Sequence, residues 1–493
     1  MTLGEPKPYP DELPSAYASR IGQWYGSWNK PDKTLGQFFT PLEVARFMVA
    51  MLPVRHDPLR VLDPGAGFGV LSCALCETMR GDITLVACEV DRALAAYLDL
   101  CLRYAQQWMK AHNRRLTYII THDDFVLAYG GALDQPPPST FDVVISNPPY
   151  FKLSKTDPRA QLTARVVHGQ PNIYALFMAV SAALLRTGGY SVFITPRSYT
   201  AGQYFSRFRD YFFSLMRPRA IHLFESRRDV FDDVLQESII LLAERSTQDR
   251  PVLLSTSANL DFSQLARRTK ATGDVLDADH VLHLPLSEQD DAVAAVVRSW
   301  GFSLHQHGME ISTGPVVPFR VAQRIMAVGN VPFTHAPLLW MQNVKPMRCE
   351  WPIQHKGQYL ALRESSNLLL PNQNYVLLRR FSAKEEPQRL TAAAYLADLD
   401  TPSIGLENHL NYIYRPNGRL TADEALGLAV LLNSKLMDTY FRLFNGNTQV
   451  SATELRKLPL PPLEAIVEMG RLAADSFDLD VDRLTNEVLG LYA

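Results

Sequence analysis

Several features that would narrow the role of this chain at once are scarce in it. Cysteine is rare, five among 493 residues. That odd number makes no disulfide framework and fits reduced thiols. No run of about 18 apolar residues offers a membrane span. The N-terminal stretch MTLGEPKPYPDELPS is acidic and proline-rich, without the basic start or apolar core of a secretory signal. A cytoplasmic location is therefore expected. An excess of either charge is also missing, with 49 Lys and Arg against 51 Asp and Glu and a formal net charge of -2. This excludes a uniformly basic nucleic-acid coat but not a local basic face.

What is present is an ordinary globular composition, 47% hydrophobic and 20% charged, over a length that predicts two to four domains at roughly 100–200 residues each. Residues 1–35, rich in Pro, Tyr and Trp, read as an N-terminal arm or short helix. From 36 to 245, short β-branched runs alternate with amphipathic stretches. Strands are expected at 60–63, 83–88, 116–120, 142–146, 190–195, 220–224 and 238–243, and helices at 71–79, 93–110, 173–185 and 206–215. Such alternation predicts an α/β domain with a mostly parallel, doubly wound sheet. Residues 246–260 read as a polar linker. Beyond it, helices at 292–297 and 425–443 flank short strands and turns, which predicts a separate α+β domain over 246–493.

Two motifs sit where such sheets bind ligands, at the carboxyl ends of strands. The first is Asp63-Pro64-Gly65-Ala66-Gly67-Phe68-Gly69, between a strand and a helix. Gly65 and Gly67 let the backbone turn sharply and approach a ligand. Glu89, at the end of the next strand, is placed to accept from ribose hydroxyls, and Asp124 with Phe125, after the third, offers an acceptor and an aromatic wall for adenine. The turn departs from the dinucleotide pattern and lacks a phosphate-loop Lys-Ser/Thr. It therefore favours a nucleoside without a pyrophosphate, and S-adenosylmethionine is the candidate cofactor.

The second motif is Asn147-Pro148-Pro149-Tyr150, after the apolar strand Val143-Val144-Ile145. Two prolines stiffen the turn and remove two donors, so it presents acceptors. An exocyclic amine is a poor nucleophile because its lone pair is delocalised. Acceptance of its N–H bonds by the Asn147 side-chain oxygen and the Pro148 carbonyl would aim the lone pair at a methyl donor and stabilise the charge developing on nitrogen.

Together these residues resemble the gamma-class adenine-N6 DNA methyltransferases of restriction–modification and related defence systems. The likeness spans residues 36–245. It includes Phe39-Thr40-Pro41 ahead of the glycine turn, and its fold would be a Rossmann-like methyltransferase sheet followed by a target-recognition domain. The resemblance implies that Thr40 meets the methionine end of the cofactor and that Asn147 through Tyr150 meet the target amine. It also implies that Tyr150 and Phe231 stack on an adenine flipped out of duplex DNA.

Between Asn147 and Val230 there are 12 Lys and Arg against 4 acids, a segment expected to meet phosphates. Lys152, Lys155, Arg197 and Arg227 are candidate DNA contacts there. Asn408, Asn411, Arg415 and Asn447 are candidates in the second domain. Residues 151–170 form a long basic loop, expected to close over the flipped base. A monomer is expected, with any cognate endonuclease a separate protein.

Other readings are methylation of a protein glutamine or an RNA base, which keeps the same turn, cytosine-N4 methylation, which usually has Ser in place of Asn147, or a catalytically silent DNA-specificity subunit. Cytosine-C5 chemistry needs a nucleophilic Cys after Pro, and no cysteine here follows Pro. Cys73 and Cys76 form a lone C-x-x-C in a predicted helix, which points to packing rather than zinc, and no metal is expected.

Overall fold

The computed structural model describes residues 6–29, 38–135, 137, 141–224, 238–326, 335–354, 357–361, 366–382, 386–446, 448–476 and 479–491. The chain divides into two compact units, Met1–Leu286 and Ser287–Ala493.

The first unit runs α1 (Pro14–Gly26), α2 (Leu42–Ala50), β1 (Leu59–Pro64), α3 (Val70–Thr78), β2 (Ile83–Cys88), α4 (Arg92–Ala111), β3 (Leu116–Thr121), α5 (Phe125–Tyr129) and β4 (Phe141–Ser146). It continues with α6 (Pro158–Leu162), α7 (Ile173–Leu184), β5 (Leu185–Pro196), α8 (Ser206–Leu215), β6 (Met216–Phe224), β7 (Ser238–Arg245), β8 (Val252–Ser257), β9 (Leu265–Lys270) and α9 (Thr272–Val275). The strands form one nine-stranded sheet in the order β3-β2-β1-β4-β5-β7-β6-β8-β9. Strands β1 to β5 pair in parallel, and β7 runs antiparallel to both β5 and β6.

One apolar core gathers residues of α1 to α4, including Ile21, Met48, Cys73, Cys76 and Leu98. The other is built on α7 and α8 with Phe125 and Phe193. Helix α7 is buried along its whole length, as expected of a helix with an apolar surface all round. The strand order changes direction at β1, whose neighbours are β2 on one side and β4 on the other. That crevice, at the carboxyl ends of β1 and β4, is where doubly wound sheets receive ligands.

The seven expected strands and four expected helices of this region are all present, β2 with the expected limits. Three expectations are corrected. The N-terminal arm is part of the core, since α1 buries Tyr17, Ala18 and Ile21 completely or nearly so. The linker expected at 246–260 holds β8, parallel to β6, and the antiparallel edge strand β9 follows. The unit therefore ends at Leu286, not at 245. The signal was masked because β9, Leu-Ala-Arg-Arg-Thr-Lys, carries the cationic side chains of an exposed edge. The single helix expected at 425–443 is two, broken at Ser434.

The second unit begins with α10 (Glu288–Arg298). Its strands are β10 (Glu310–Thr313), β11 (Ile325–Met326), β12 (His335–Leu339), β13 (Val344–Lys345), β14 (Arg348–Cys349), β15 (Tyr359–Ala361), β16 (Leu369–Pro371), β17 (Asn374–Arg379), β18 (Ala392–Leu396), β19 (Ser403–Leu406) and β20 (Leu410–Tyr414). They form sheets in the orders β10-β20-β17-β18 and β11-β15-β12-β19-β16, with β13 and β14 as a pair. Helices α11 (Ala422–Asn433), α12 (Lys435–Phe444), α13 (Ala452–Arg456), α14 (Leu463–Ala474) and α15 (Val481–Val488) complete it.

The break between α11 and α12 follows from Ser434, whose side chain accepts from the Met437 N–H as an N-cap. Helices α11 and α14 touch at backbone distance: a Cβ on Gly427 would lie 1.7 Å from the Ile466 carbonyl oxygen, and one on Gly470 1.9 Å from that of Asp423. No helix among the described residues is long and apolar enough to cross a membrane.

Candidate active site

The glycine turn leaves β1 in left-handed conformations that only glycine adopts without strain, with φ of 77° at Gly65 and 56° at Gly67. The Gly65 and Ala66 N–H groups both donate to the Cys88 carbonyl, at 2.9 and 3.0 Å, which ties the turn to β2. Asp63 is fully buried at the end of β1. Its Oδ2 accepts from the Ser72 hydroxyl at 2.6 Å, whereas its Oδ1 has no partner among the described residues. Burial pushes its pKa up to about 7, against the opposing hydrogen bonds from Ser72. A carboxyl held so far from water, with one oxygen unserved, is costly to ionise.

Asp63 itself does not line the cleft, but two other carboxylates do. Glu89, after β2, accepts from the Gly67 N–H at 2.8 Å and the Asp91 N–H at 2.9 Å, and burial raises its pKa. Asp124 caps α5, its Oδ1 accepting from the Val126 and Leu127 N–H groups at 2.9 and 3.0 Å. Phe125 is buried against Phe177, ring centroids 4.9 Å apart.

On the other side of the crevice, the Ser146 hydroxyl donates to the Pro64 carbonyl at 2.6 Å and joins the ends of β4 and β1. Asn147 follows. Its Nδ2 donates to the Phe38 carbonyl at 2.8 Å and to Thr40 Oγ1 at 3.1 Å. A carbonyl only accepts, so this pairing makes Oδ1 the accepting end of the amide. The Tyr150 hydroxyl donates to Asn147 Oδ1 at 2.5 Å and lies 2.9 Å from the Ile194 carbonyl, so one proton is shared between two acceptors. Burial holds the Tyr150 pKa well above the ordinary phenol value, so it stays a neutral donor. The Phe38 ring stacks on Tyr150, 5.4 Å between centroids and 25° between planes.

Most of these groups converge on one cleft with about 840 Å³ of empty space, the open solvent at its mouth included. Gly65, Gly67, Glu89, Asp124, Phe125, Asn147 and Pro149 all line it, as do Phe38, Phe39, Phe151, Arg159 and Phe177. A smaller recess of about 330 Å³ shares Phe38, Phe39, Gly65, Gly67 and Asn147 with the cleft and adds Thr40. Thr40, expected at the cofactor, therefore also braces the Asn147 amide. Sequence reasoning missed Phe38 and Arg159. Phe38 directly precedes the Phe-Thr-Pro element, and Arg159 is one of the 12 basic residues between Asn147 and Val230.

The expected basic face is smaller than the count suggested, because acids outside the counted window neutralise it. Arg186 pairs with Asp142, Arg217 with Asp249 and Arg219 with Glu244. Arg209 is buried, donating to the Tyr199 and Gly202 carbonyls, and Arg197 is only 6% exposed. Lys152 and Lys155 are exposed on the loop after the Asn-Pro-Pro-Tyr turn.

In the second unit Asn411 is buried, bonded to Thr313 and the Val450 carbonyl. Arg415 donates to the His307 carbonyl and pairs with Glu424. Both side chains are spent on the fold, and with Arg197 they leave the candidate DNA-contacting set. Asn408 is half-buried. Phe231, Arg227 and Asn447 lie outside the described residues. Cys73 and Cys76 are buried in the packing of α3, and among the described residues no group of three or more His, Cys, Asp or Glu is placed to hold a metal.

Residues 99–231 match the sequence profile of the Eco57I restriction-modification methylase family. The Type II methyltransferase M.BsuBI of Bacillus subtilis is 30% identical over 93% of this chain and 95% of its own length. The Type II methyltransferase M.PstI of Providencia stuartii is 31% identical over 93% of both chains. Among solved structures, the Type IIL restriction-modification enzyme MmeI, in complex with DNA, superposes with a TM-score of 0.52 at 10% identity, covering 97% of this chain and 74% of that one. The fold also resembles the type IIG restriction endonuclease BpuSI, with a TM-score of 0.46 at 14% identity, of which this chain spans 65%. With relatives similar over nearly their whole length, the chain belongs to the Type II methyltransferases of restriction–modification systems and uses S-adenosylmethionine as its cofactor.

Proposed function

We propose that the chain transfers the methyl group of S-adenosylmethionine to the N6 amine of an adenine flipped out of duplex DNA, as the modification enzyme of a restriction–modification or defence system. The observation that carries this reading is the Asn147 amide, pinned by Phe38 and Thr40 so that its carbonyl end accepts, on a Pro-Pro turn lining the cleft with Glu89 and Asp124. An acceptor pair on a rigid strand end suits an amine nucleophile, which needs its N–H bonds held and its lone pair aimed rather than a proton removed beforehand.

When bound, the cofactor supplies an electrophilic methyl on a sulfonium. Asp63, with its orphan oxygen, would accept from the α-ammonium. Glu89 would take the ribose hydroxyls, and Asp124 the adenine amine beside the Phe125 wall, with Gly65 and Gly67 allowing close approach. Asn147 Oδ1 and the Pro148 carbonyl would hold the two N–H bonds of the target amine, while Pro149 keeps the turn stiff. The Tyr150 hydroxyl orients Asn147 through their shared proton.

Stacking on Tyr150 and Phe231 would return about 1–3 kcal/mol per aromatic contact against an extrusion cost of about a few kcal/mol. In this reading the second unit recognises the DNA target, Lys152 and Lys155 approach phosphate, the enzyme acts as a monomer, and a cognate endonuclease is a separate protein.

The test is single-molecule sequencing of DNA from a host expressing the chain, beside an Asn147→Ala control. N6-methyladenine at one defined motif, absent in the control, is the expected result. N4-methylcytosine at such a motif would replace adenine with cytosine as the acceptor, and no modified base would overturn the reading.

A further inference from the structure

Arg159 stands at the start of α6, in the segment that follows the Asn-Pro-Pro-Tyr turn, and is used by neither the sheet nor the proposed chemistry. One edge of its guanidinium is fixed by Asp157, with Nε 2.9 Å from Oδ1 and Nη2 2.7 Å from Oδ2. Asp157 is itself immobilised as the cap of α6. The guanidinium lies over the Phe151 ring, 5.4 Å from its centroid. What remains, Nη1, reaches Asp124 Oδ2 at 3.4 Å.

Asp124 divides its oxygens between two duties, because Oδ1 is taken by the α5 cap. Oδ2 is thus the atom left for a ligand, and Arg159 is the cation facing it. Arg159, Asp124 and Phe151 all line the cleft. At 3.4 Å the contact is longer than a full charge-assisted hydrogen bond, so Oδ2 keeps room for a second donor.

We propose that Arg159 is a positioning residue that holds Asp124 Oδ2 toward the cofactor and ties the loop after the catalytic turn to an occupied cofactor pocket. The proposal rests on the reading of Asp124 as the acceptor for the cofactor's adenine amine. Because the same guanidinium is anchored on the loop through Asp157 and Phe151, filling the pocket and ordering the loop favour each other, and linkage makes that coupling reciprocal. The side chains of Arg159 and Asp124 are 24% and 27% exposed, so water screens the pair and the effect is modest.

The test titrates the full-length chain with S-adenosylhomocysteine by calorimetry, comparing wild type, Arg159→Ala, Arg159→Lys, Asp124→Asn and the Arg159→Ala/Asp124→Asn double variant. Asn at 124 keeps the cap acceptor and removes the charge. Arg159→Ala should weaken binding about two- to fivefold, Arg159→Lys should recover part of that loss, and the double variant should bind no more weakly than Asp124→Asn alone. Trypsin cleavage at Lys152 and Lys155 is the second readout. S-adenosylhomocysteine should slow it in wild type and not in Arg159→Ala.

An unchanged affinity in both Arg159 variants overturns the proposal, as does the same fold loss with and without the Asp124 charge. If wild type binds no S-adenosylhomocysteine, the cofactor assignment falls and this proposal with it. Wild-type binding indifferent to Arg159 removes the role of Arg159 alone.

Discussion

Asp63→Asn should stabilise the ligand-free protein while weakening its hold on the cofactor. The carboxyl is fully buried, and its pKa is raised from 3.8 to about 7, mainly by loss of water. Between about pH 4 and pH 7 the folded chain therefore keeps a proton that the unfolded chain has released. Wild-type stability falls as pH rises across that window and levels off above it. At about 1.36 kcal/mol per pKa unit, the full interval gives an upper bound of about 4 kcal/mol.

Asparagine matches the protonated form in shape and never ionises, so the gap in melting temperature between variant and wild type should widen with pH. From pH 5 to pH 8 the change is about 3 kcal/mol, or roughly 5 °C for a unit of this size. Scanning calorimetry of the ligand-free chain across that range measures it, and S-adenosylhomocysteine titration should show at least about tenfold weaker binding by the variant, the loss of a charge-assisted partner. A gap that stays constant with pH would refute the argument, because the Asp63 proton would then not differ between the folded and unfolded chain.

Tyr150→Phe keeps the ring but strips the hydroxyl from Asn147 Oδ1 and the Ile194 carbonyl. With a buried acceptor left short of a donor, at a cost of about 1–3 kcal/mol, kcat should drop about tenfold with S-adenosylhomocysteine affinity unchanged, as read by single-turnover and titration assays. Asn147→Ala should abolish methyl transfer in a tritiated-methyl assay while cofactor affinity changes by less than about threefold, since the amide is read as serving the target amine. Gly427→Ala sets a methyl group 1.7 Å from the Ile466 carbonyl oxygen. It should push α11 and α14 apart and destabilise the second unit by about 3 kcal/mol or more, seen as an earlier urea transition.

How much of this was legible in the sequence depended on whether a feature is local. Strands β1 to β7 announced themselves as short runs of β-branched and other apolar residues, and Asp63, Glu89, Asp124 and Asn147 were found because each lies at or just after the end of such a run. The pair β8 and β9 was missed because an edge strand with Arg267, Arg268 and Lys270 lacks the apolar signal of an inner one. The break at Ser434 was hidden by the apolar residues that run through α11 and α12.

The contacts that complete the site are long-range, and no local pattern encodes them. The Phe38 carbonyl meets an amide 109 residues away, and Arg159 meets Asp124 across 35. Counting charge in a window failed for the same reason, since Arg217 and Arg219 find their acids at 249 and 244.

The seam between β1 and β4 carries a mechanical consequence. The donor-side turn and the acceptor-side turn hang from two hydrogen-bonded neighbours, Val61 opposite Val143 and Leu62 opposite Val144, with Ser146 stitched to Pro64. Adjacent strands lie about 4.8 Å apart, and one residue of slip moves a strand end by about 3.3 Å, as much as the whole distance across which reacting atoms must meet. In the proposed reaction the reach of the methyl transfer is thus set by the pitch of a sheet, like the gap of a pair of calipers locked at the hinge. Loops beyond these two strand ends can then vary while the jaws keep their spacing.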